Sequence, residues 1–395
     1  MASHFVLLLL GVSGLWGTPM GDITYSYEPW ATQMVSNNSL FGITSDWVYP
    51  WVDLLPVLVP KLIALATGYS YFAVWVAGSI VIDLVALWAL IGFRGTATRA
   101  RLLAGFAWVG LQFLLGPVAI SRIDNLSIAL AMIAIGAFLE GKDAIAAGWL
   151  AFATWVKIWP AAVLLALFAA TKNLRKVLES SQVVLISIAL LGFLFGRFHS
   201  ISFFLAQSDR GIQIESPIAL IWIWQKILGS ATSGIYYDQT YLTFQVQGEQ
   251  VETFASLMSQ AFYAALGITA WLAIKASRQQ GNRDQIFAWV SMTAILDMIV
   301  FNKVGSPQYI GWLFVPAIYA IAKSLAGWKP AIFSVAGISF LTFVIYPMVY
   351  DGILQSELLP TMVLTLRNLA LIFLLVQANL ELMKLGKQAL DERAH

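Results

Sequence analysis

The chain has 395 residues, 59% of them hydrophobic and 11% charged, with a formal net charge of +2 and a mean hydropathy of +0.77. Soluble globular domains carry about 25% charged residues, so the composition excludes one, and the small net charge gives no basic surface for nucleic acid. Cysteine is absent, which excludes disulfides, thiolate metal sites and cysteine nucleophiles. His4, His199 and His395 stand too far apart in sequence to suggest zinc, so no metal or other cofactor is expected.

Apolar runs near the ~20 residues that cross ~30 Å of hydrocarbon recur from end to end, and such runs span as helices. The expectation is an all-α polytopic membrane protein of about 12 transmembrane helices, forming one domain over residues 1–395. Residues 5–16 lack the basic start and small-residue cleavage site of a signal peptide and are predicted as the first span. Residues 18–53 are polar, aromatic and punctuated by Pro and Gly, which predicts a loop. Leu54–Thr67, broken by Pro56, Pro60 and Lys61, is predicted as a juxtamembrane surface helix that completes a first external loop, 18–69.

Spans are then predicted at 71–92, 102–120 and 126–139, with Ser121-Arg122-Ile123-Asp124-Asn125 as a turn. Segments 144–156 and 159–170 make a short pair hinged at Lys157-Ile158-Trp159-Pro160, and 183–198 is the seventh span. A long external loop, 199–253, holds a semi-apolar helix at 218–228. Spans at 254–276, 285–301, 309–322, 331–346 and 364–382 complete the set.

Alternating the loops through these spans places fifteen Lys and Arg on one side, in loops such as 93–101 (Arg94, Arg99, Arg101), and eight on the other or near it. The preference for cationic cytoplasmic loops makes the first side, and both termini, cytoplasmic in a plasma membrane. Acids fall opposite: Asp22, Asp46, Asp53, Asp124, Asp209 and Glu215 are all external. Any chemistry is therefore expected outside.

Ionisable groups at membrane depth are costly enough to mark candidates. Asp22 alone reads as a solvated carboxylate or helix cap. Around it, however, Tyr25, Tyr27, Trp30, Trp47, Tyr49 and Trp51 form either a sugar-stacking surface or an interfacial aromatic belt. Lys157 and Lys303 are each either a snorkelling anchor or a fixed point charge for a lipid phosphate. The loop Asn302-Lys303-Val304-Gly305-Ser306-Pro307-Gln308-Tyr309 favours binding. Arg122 beside Asp124 reads as a salt-bridged turn, Asp83 and Asp297 as a hydrogen-bonded structural pair within spans, and Arg367 as an outward snorkelling residue.

The motifs Asp22-Ile23-Thr24-Tyr25, Tyr49-Pro50-Trp51, Asn125, Gly148…Lys157-Ile158-Trp159-Pro160 and Ser306-Pro307-Gln308-Tyr309 resemble, in order and spacing, those of the GT-C membrane glycosyltransferases. More closely they resemble glycosyltransferase family 87, the polyprenyl-phosphate-mannose-dependent α-mannosyltransferases of actinobacteria. Tyr49-Pro50-Trp51 lacks the second proline of the family pattern, and Arg122-Ile123-Asp124 stands where a Gly-Gln pair is common. The resemblance implies transfer of a hexose, mannose, from a polyprenyl-phosphate donor to a glycolipid or lipid-linked glycan acceptor among the membrane lipids, at the extracytoplasmic face and with inversion. It implies Asp22 as catalytic base. Lys157, Lys303, Arg122 and Arg210 would hold the donor phosphate, and Tyr25, Tyr49, Asn125, Gln308 and Tyr309 would bind substrate. Open alternatives are a polytopic transporter or lipid flippase, a non-catalytic assembly subunit, and a polyprenyl-phosphate-arabinose-dependent arabinofuranosyltransferase.

Overall fold

A computed structural model describes residues 2–92, 97–206, 210–278 and 282–394; Arg94, Asp209 and His395 lie outside the described residues. The chain is predominantly helical. Among the described residues, five helices are long and apolar enough to cross a membrane: Tyr71–Ile91, Leu174–Ile201, Val251–Arg278, Lys329–Met348 and Leu358–Gly386. The protein is thus an α-helical membrane protein. Shorter apolar helices stand at Ala2–Val12, Ile123–Leu139, Asp143–Val156 and Pro160–Ala170. Contacts divide the chain into two compact units, Met1–Asp209 with Ile321–Lys323, and Arg210–Ala320 with Ser324–His395.

The first unit begins with α1 (Ala2–Val12), which stops four residues short of its predicted end. The segment expected as a plain loop holds two helical pieces, a π-helical turn at Ile23–Tyr27 and α2 (Glu28–Ser36). Pro29 explains the second: proline suits the first turn of a helix, where its missing N–H costs no bond. α3 (Leu54–Thr67) forms without a break at Pro60. α4 (Tyr71–Ile91) keeps its predicted bounds because Ser70 caps it, its Oγ accepting from Ala73 N–H at 3.2 Å.

The predicted third span is interrupted at Gly116-Pro117, giving α5 (Arg99–Leu115) and α6 (Val118–Ser121). α7 (Ile123–Leu139) follows, with 14 of its 17 residues buried. A helix apolar all round is an interior helix. It approaches α4 so closely that a Cβ on Gly136 would lie 2.5 Å from Ala89 O. Glycine is what lets two backbones touch there.

α8 (Asp143–Val156) and α9 (Pro160–Ala170) form the expected broken pair. The break is at Lys157, whose backbone is extended, and Pro160 opens the second helix. α10 (Leu174–Gly196) starts earlier than expected because Asn173 caps it, Oδ1 accepting from Lys176 N–H at 3.4 Å. α11 (Phe203–Ala206) is a single turn.

In the second unit, α12 (Leu220–Ile227) lies close to its predicted position. Next comes an unpredicted antiparallel hairpin, β1 (Gly234–Asp238) with β2 (Thr243–Gln247), pairing Gly234 with Gln247 and Asp238 with Thr243. α13 (Val251–Arg278) and α14 (Arg283–Val300) match expectation. The predicted tenth span opens as a 3-10 turn, Pro307–Leu313, before α15 (Phe314–Ala322). α16 (Lys329–Phe343), α17 (Tyr350–Leu354) and α18 (Leu358–Ala394) complete the chain.

Two expectations are corrected. Asp83 and Asp297 are not a pair, since each is hydrogen-bonded inside its own unit. Asp83 Oδ2 lies 2.9 Å from His4 Nε2 and accepts from Gln112 Nε2 at 2.8 Å, while Thr269 Oγ1 donates to Asp297 Oδ2 at 2.6 Å. Arg367 does not snorkel outward. It is 2% exposed, and its Nη2 donates to the Glu215 carbonyl at 2.9 Å. Arg122 and Asp124 each have a partner beyond their own turn, as described next.

Candidate functional site

The candidate site of the first unit is assembled from helix ends. α7 and α8 are joined by the short connection Glu140–Lys142 and pack side by side, so the start of α7 and the end of α8 lie at the same end of the pair. Asp124 stands in the first turn of α7 and Lys157 caps the end of α8. Each charge has the sign that its helix terminus favours. Lys157 Nζ lies 3.6 Å from Asp124 Oδ2, with the lysine side chain 14% and the aspartate 2% exposed. The same ammonium sits 4.0 Å from the centre of the Tyr49 ring, within cation–π range.

Arg122 immediately precedes α7 in extended conformation, and its guanidinium Nη1 pairs with Asp22 Oδ2. Two carboxylates and two cations therefore form two pairs, Asp22–Arg122 and Asp124–Lys157. The arginine is 6% and Asp22 39% exposed, so Asp22 is the accessible carboxylate. Arg122, in extended conformation just before α7, thus reaches Asp22, while Asp124 in the first turn of α7 reaches Lys157.

Trp159 locks this end. Its Nε1–H donates to Ser127 Oγ at 2.9 Å, and Ser127 Oγ–H donates to the Asp124 carbonyl at 2.8 Å. The aromatic residues between α1 and α3 pack on one another. Trp30, Trp47 and Tyr49 have ring centroids 5.5–6.0 Å apart, and Tyr27 stacks on Trp75 at 4.6 Å. Trp47 is buried, whereas Tyr25 is 68% exposed.

Asn125, expected to bind substrate, is 3% exposed. In the amide orientation that satisfies both partners, it donates to Ala119 O and Asp83 Oδ1, each at 3.1 Å. It thereby ties the start of α7 to the His4–Asp83–Gln112 network.

The other four predicted site residues belong to the second unit. Arg210 lies over the Tyr241 ring at 5.2 Å. The Lys303 carbonyl accepts from Gln213 N–H at 2.9 Å, and Gly305 N–H donates to Gln213 Oε1 at 3.1 Å. Gly305 abuts the neighbouring strand of chain so tightly that a Cβ would fall 2.3 Å from Ser216 N. Tyr309 stacks on Trp312 at 4.1 Å, and Gln308 beside it is half-buried.

Two participants escaped sequence reasoning. Asp124 was read only as the partner of Arg122. Asp53, just before α3, stands out in sequence only as one of the loop acids, yet its side chain makes no capping bond and is wholly buried. Burial pushes its carboxyl well above the usual carboxylate range. Lys157 draws it back, and Asp124 pushes it up again. Burial likewise raises the Tyr27 phenol, keeping it neutral. Among the described residues no group of His, Cys, Asp and Glu has the arrangement to hold a metal ion.

No curated protein matches the chain. The sequence profile of glycosyltransferase family 87 matches residues 47–302, a stretch that contains Arg122, Asp124 and Lys157 but begins after Asp22. That match covers more than half of the chain, and a membrane enzyme with carboxylates and cations gathered at its helix ends is consistent with it: the chain belongs to glycosyltransferase family 87 and is a glycosyltransferase.

Proposed function

We propose that this enzyme transfers a hexose, mannose, from a polyprenyl-phosphate donor to a lipid-linked glycan acceptor at the extracytoplasmic face of the plasma membrane, with inversion. A GT-C arrangement of twelve crossings with cytoplasmic termini belongs to the same reading. What supports it most is one observation: the half-exposed carboxylate of Asp22, paired with Arg122, belongs to the same compact unit as the Lys157–Asp124 pair. Asp22 is the base. It takes the proton of an acceptor hydroxyl as that oxygen bonds to the anomeric carbon, and the bond from that carbon to the phosphate oxygen breaks with its electron pair going to the phosphate.

Such base assistance is worth ~10²–10⁴-fold in rate. The phosphate gains a negative charge as it leaves, and Arg122 and Lys157 are the fixed positive charges placed to meet it. In the first unit Tyr25 and Tyr49 are assigned to substrate; within the second unit, Lys303 and Arg210 are assigned to phosphate binding and Gln308 and Tyr309 to substrate binding. Asn125 fixes the start of α7 for this purpose.

The test is transfer by purified enzyme supplied with polyprenyl-phosphate mannose and a lipid-linked glycan acceptor. Mannosylated product with inverted configuration is expected, and Asp22→Asn abolishes it while the protein still folds. Turnover by that variant at the wild-type rate would remove Asp22 from the reaction.

A further inference from the structure

Three carboxylates and two cations meet in the first unit: Asp22, Asp124 and Asp53 against Arg122 and Lys157. The first two acids have cationic partners within ion-pair range. Asp53 is different. It is 0% exposed, and among the described residues neither of its carboxylate oxygens has a hydrogen-bond partner. A buried acceptor left unsatisfied costs free energy, and a buried ionised one costs far more. A structural acid would be expected to cap α3 from this position, and this one does not.

The turn Trp51–Asp53 packs on α8 and α3. From the end of α8 the charge felt by Asp53 is Lys157, and from the start of α7 it is Asp124. The Tyr27 phenol of the π-helical turn is near enough for Asp53 to add slightly to its raised pKa, after burial, Tyr49 and Asp124. The single charged side chain of α3, Lys61, is directed elsewhere, 3.6 Å from Glu28. Asp53 thus has one cation to answer to, and that cation already has Asp124.

We propose that Asp53 is a positioning residue for Lys157: protonated, it does not contest the ammonium when an anionic phosphate arrives, and ionised, it competes with that phosphate for the same charge. The inference rests on the donor reading above. Its arithmetic is simple. With Asp53 protonated, the three acids and two cations sum to zero, so a phosphodiester donor brings the total to one negative charge. With Asp53 ionised, the total would reach two. Donor binding and the proton on Asp53 therefore favour one another, and binding the donor draws a proton in from solution.

The reaction gives this a use. The phosphodiester donor carries one negative charge and the leaving phosphomonoester carries two when fully ionised, while the acceptor proton goes to Asp22. A neutral Asp53 keeps the charge at Lys157 available for that second negative charge at the moment it appears.

The test uses the full-length enzyme and a short-chain isoprenyl methyl phosphodiester, which keeps a single charge between about pH 5 and 9. Wild-type enzyme is expected to bind this probe about tenfold or more weakly at the alkaline end than at the acid end, the effect of one added buried charge. Calorimetry in buffers of different ionisation enthalpy should show proton uptake on binding. In Asp53→Asn, which is neutral at every pH and nearly isosteric, affinity stays at the acid-limb value throughout, proton uptake vanishes, and the donor KM follows the same flattened profile.

Folding is not at risk in this variant. The folded-state carboxyl is raised, so its favourable contribution is complete below the usual carboxylate range and is lost as pH rises through the raised value. Asp53→Asn therefore melts no lower than wild type above that point. Probe binding whose pH dependence is flat in the wild type, or unchanged in Asp53→Asn, overturns the role of Asp53 and leaves the donor reading standing. Failure to bind the probe at any pH, together with failure to transfer from the polyprenyl donor, overturns the donor reading and this inference with it.

Discussion

The ion pairs of the first unit and the surroundings of Lys303 and Arg367 in the second are built differently. In the first, side chain meets side chain: Asp22 with Arg122, and Asp124 with Lys157. Around Lys303 and Arg367, the contacts run through main chain. Arg367 donates to the Glu215 carbonyl, and the loop of Lys303 to Ser306 is sewn to Gln213 by the Gln213 N–H, the Lys303 carbonyl and the Gly305 N–H. An ion pair can exchange one anion for another when a phosphate arrives, because both are anionic oxygens. A bond to a backbone carbonyl has no such substitute, and it holds shape. The first arrangement suits chemistry with changing charge, and the second suits holding a loop in place.

The largest effect should come from breaking the first arrangement. Lys157→Gln leaves Asp124 buried without its ammonium, which costs about 3–5 kcal/mol of stability, and slows transfer ~10²–10³-fold. Adding Asp124→Asn should restore the melting temperature and leave transfer as slow as before. Recovery of both together would mean that Lys157 only balances Asp124. In the second arrangement the expected loss is of fold alone. Arg367→Met lowers stability by about 2–4 kcal/mol and leaves the donor KM of the folded fraction unchanged; a raised KM at constant melting temperature would move Arg367 into the donor site. Smallest of all is the pair His199 Nδ1 and Asp46 Oδ1, 2.6 Å apart but 45% and 76% exposed. His199→Ala should change stability by under about 1 kcal/mol when melting is followed in detergent.

Much of the helical framework was legible. An apolar run bounded by a capping serine and a glycine, as at α4, carries its own limits, and Lys157 followed by Pro160 announced the break between α8 and α9. The helix inside the supposed loop was hidden because its content is amphipathic and short, although Glu28-Pro29 is a fair opening for one. The hairpin was hidden in a polar stretch whose strands are five residues each, too short for alternation to stand out. Within the site, Asp22, Arg122 and Lys157 could be named from sequence, but not the pairing. Asp22 meets a residue one hundred positions away, and that depends on how α7 packs. Asp53 could not be found at all, since burial of one loop acid among several is a property of the fold.

One helix also sets where this chemistry takes place. α10 begins with Arg175, Lys176 and Glu179, then turns the exposed stripe Val183, Ile186, Leu190 and Leu194 away from the protein. Its 23 residues amount to about 34 Å at about 1.5 Å per residue, close to the ~30 Å of hydrocarbon it must cross. Its far end delivers the segment Arg197–Ile201, whose His199 holds Asp46, and Ser202, whose Oγ–H donates to the Trp47 carbonyl at 3.2 Å. The helix is therefore a gauge. By matching bilayer thickness it sets the depth of that loop, and a thinner or thicker bilayer would raise or sink the loop relative to the lipid headgroups.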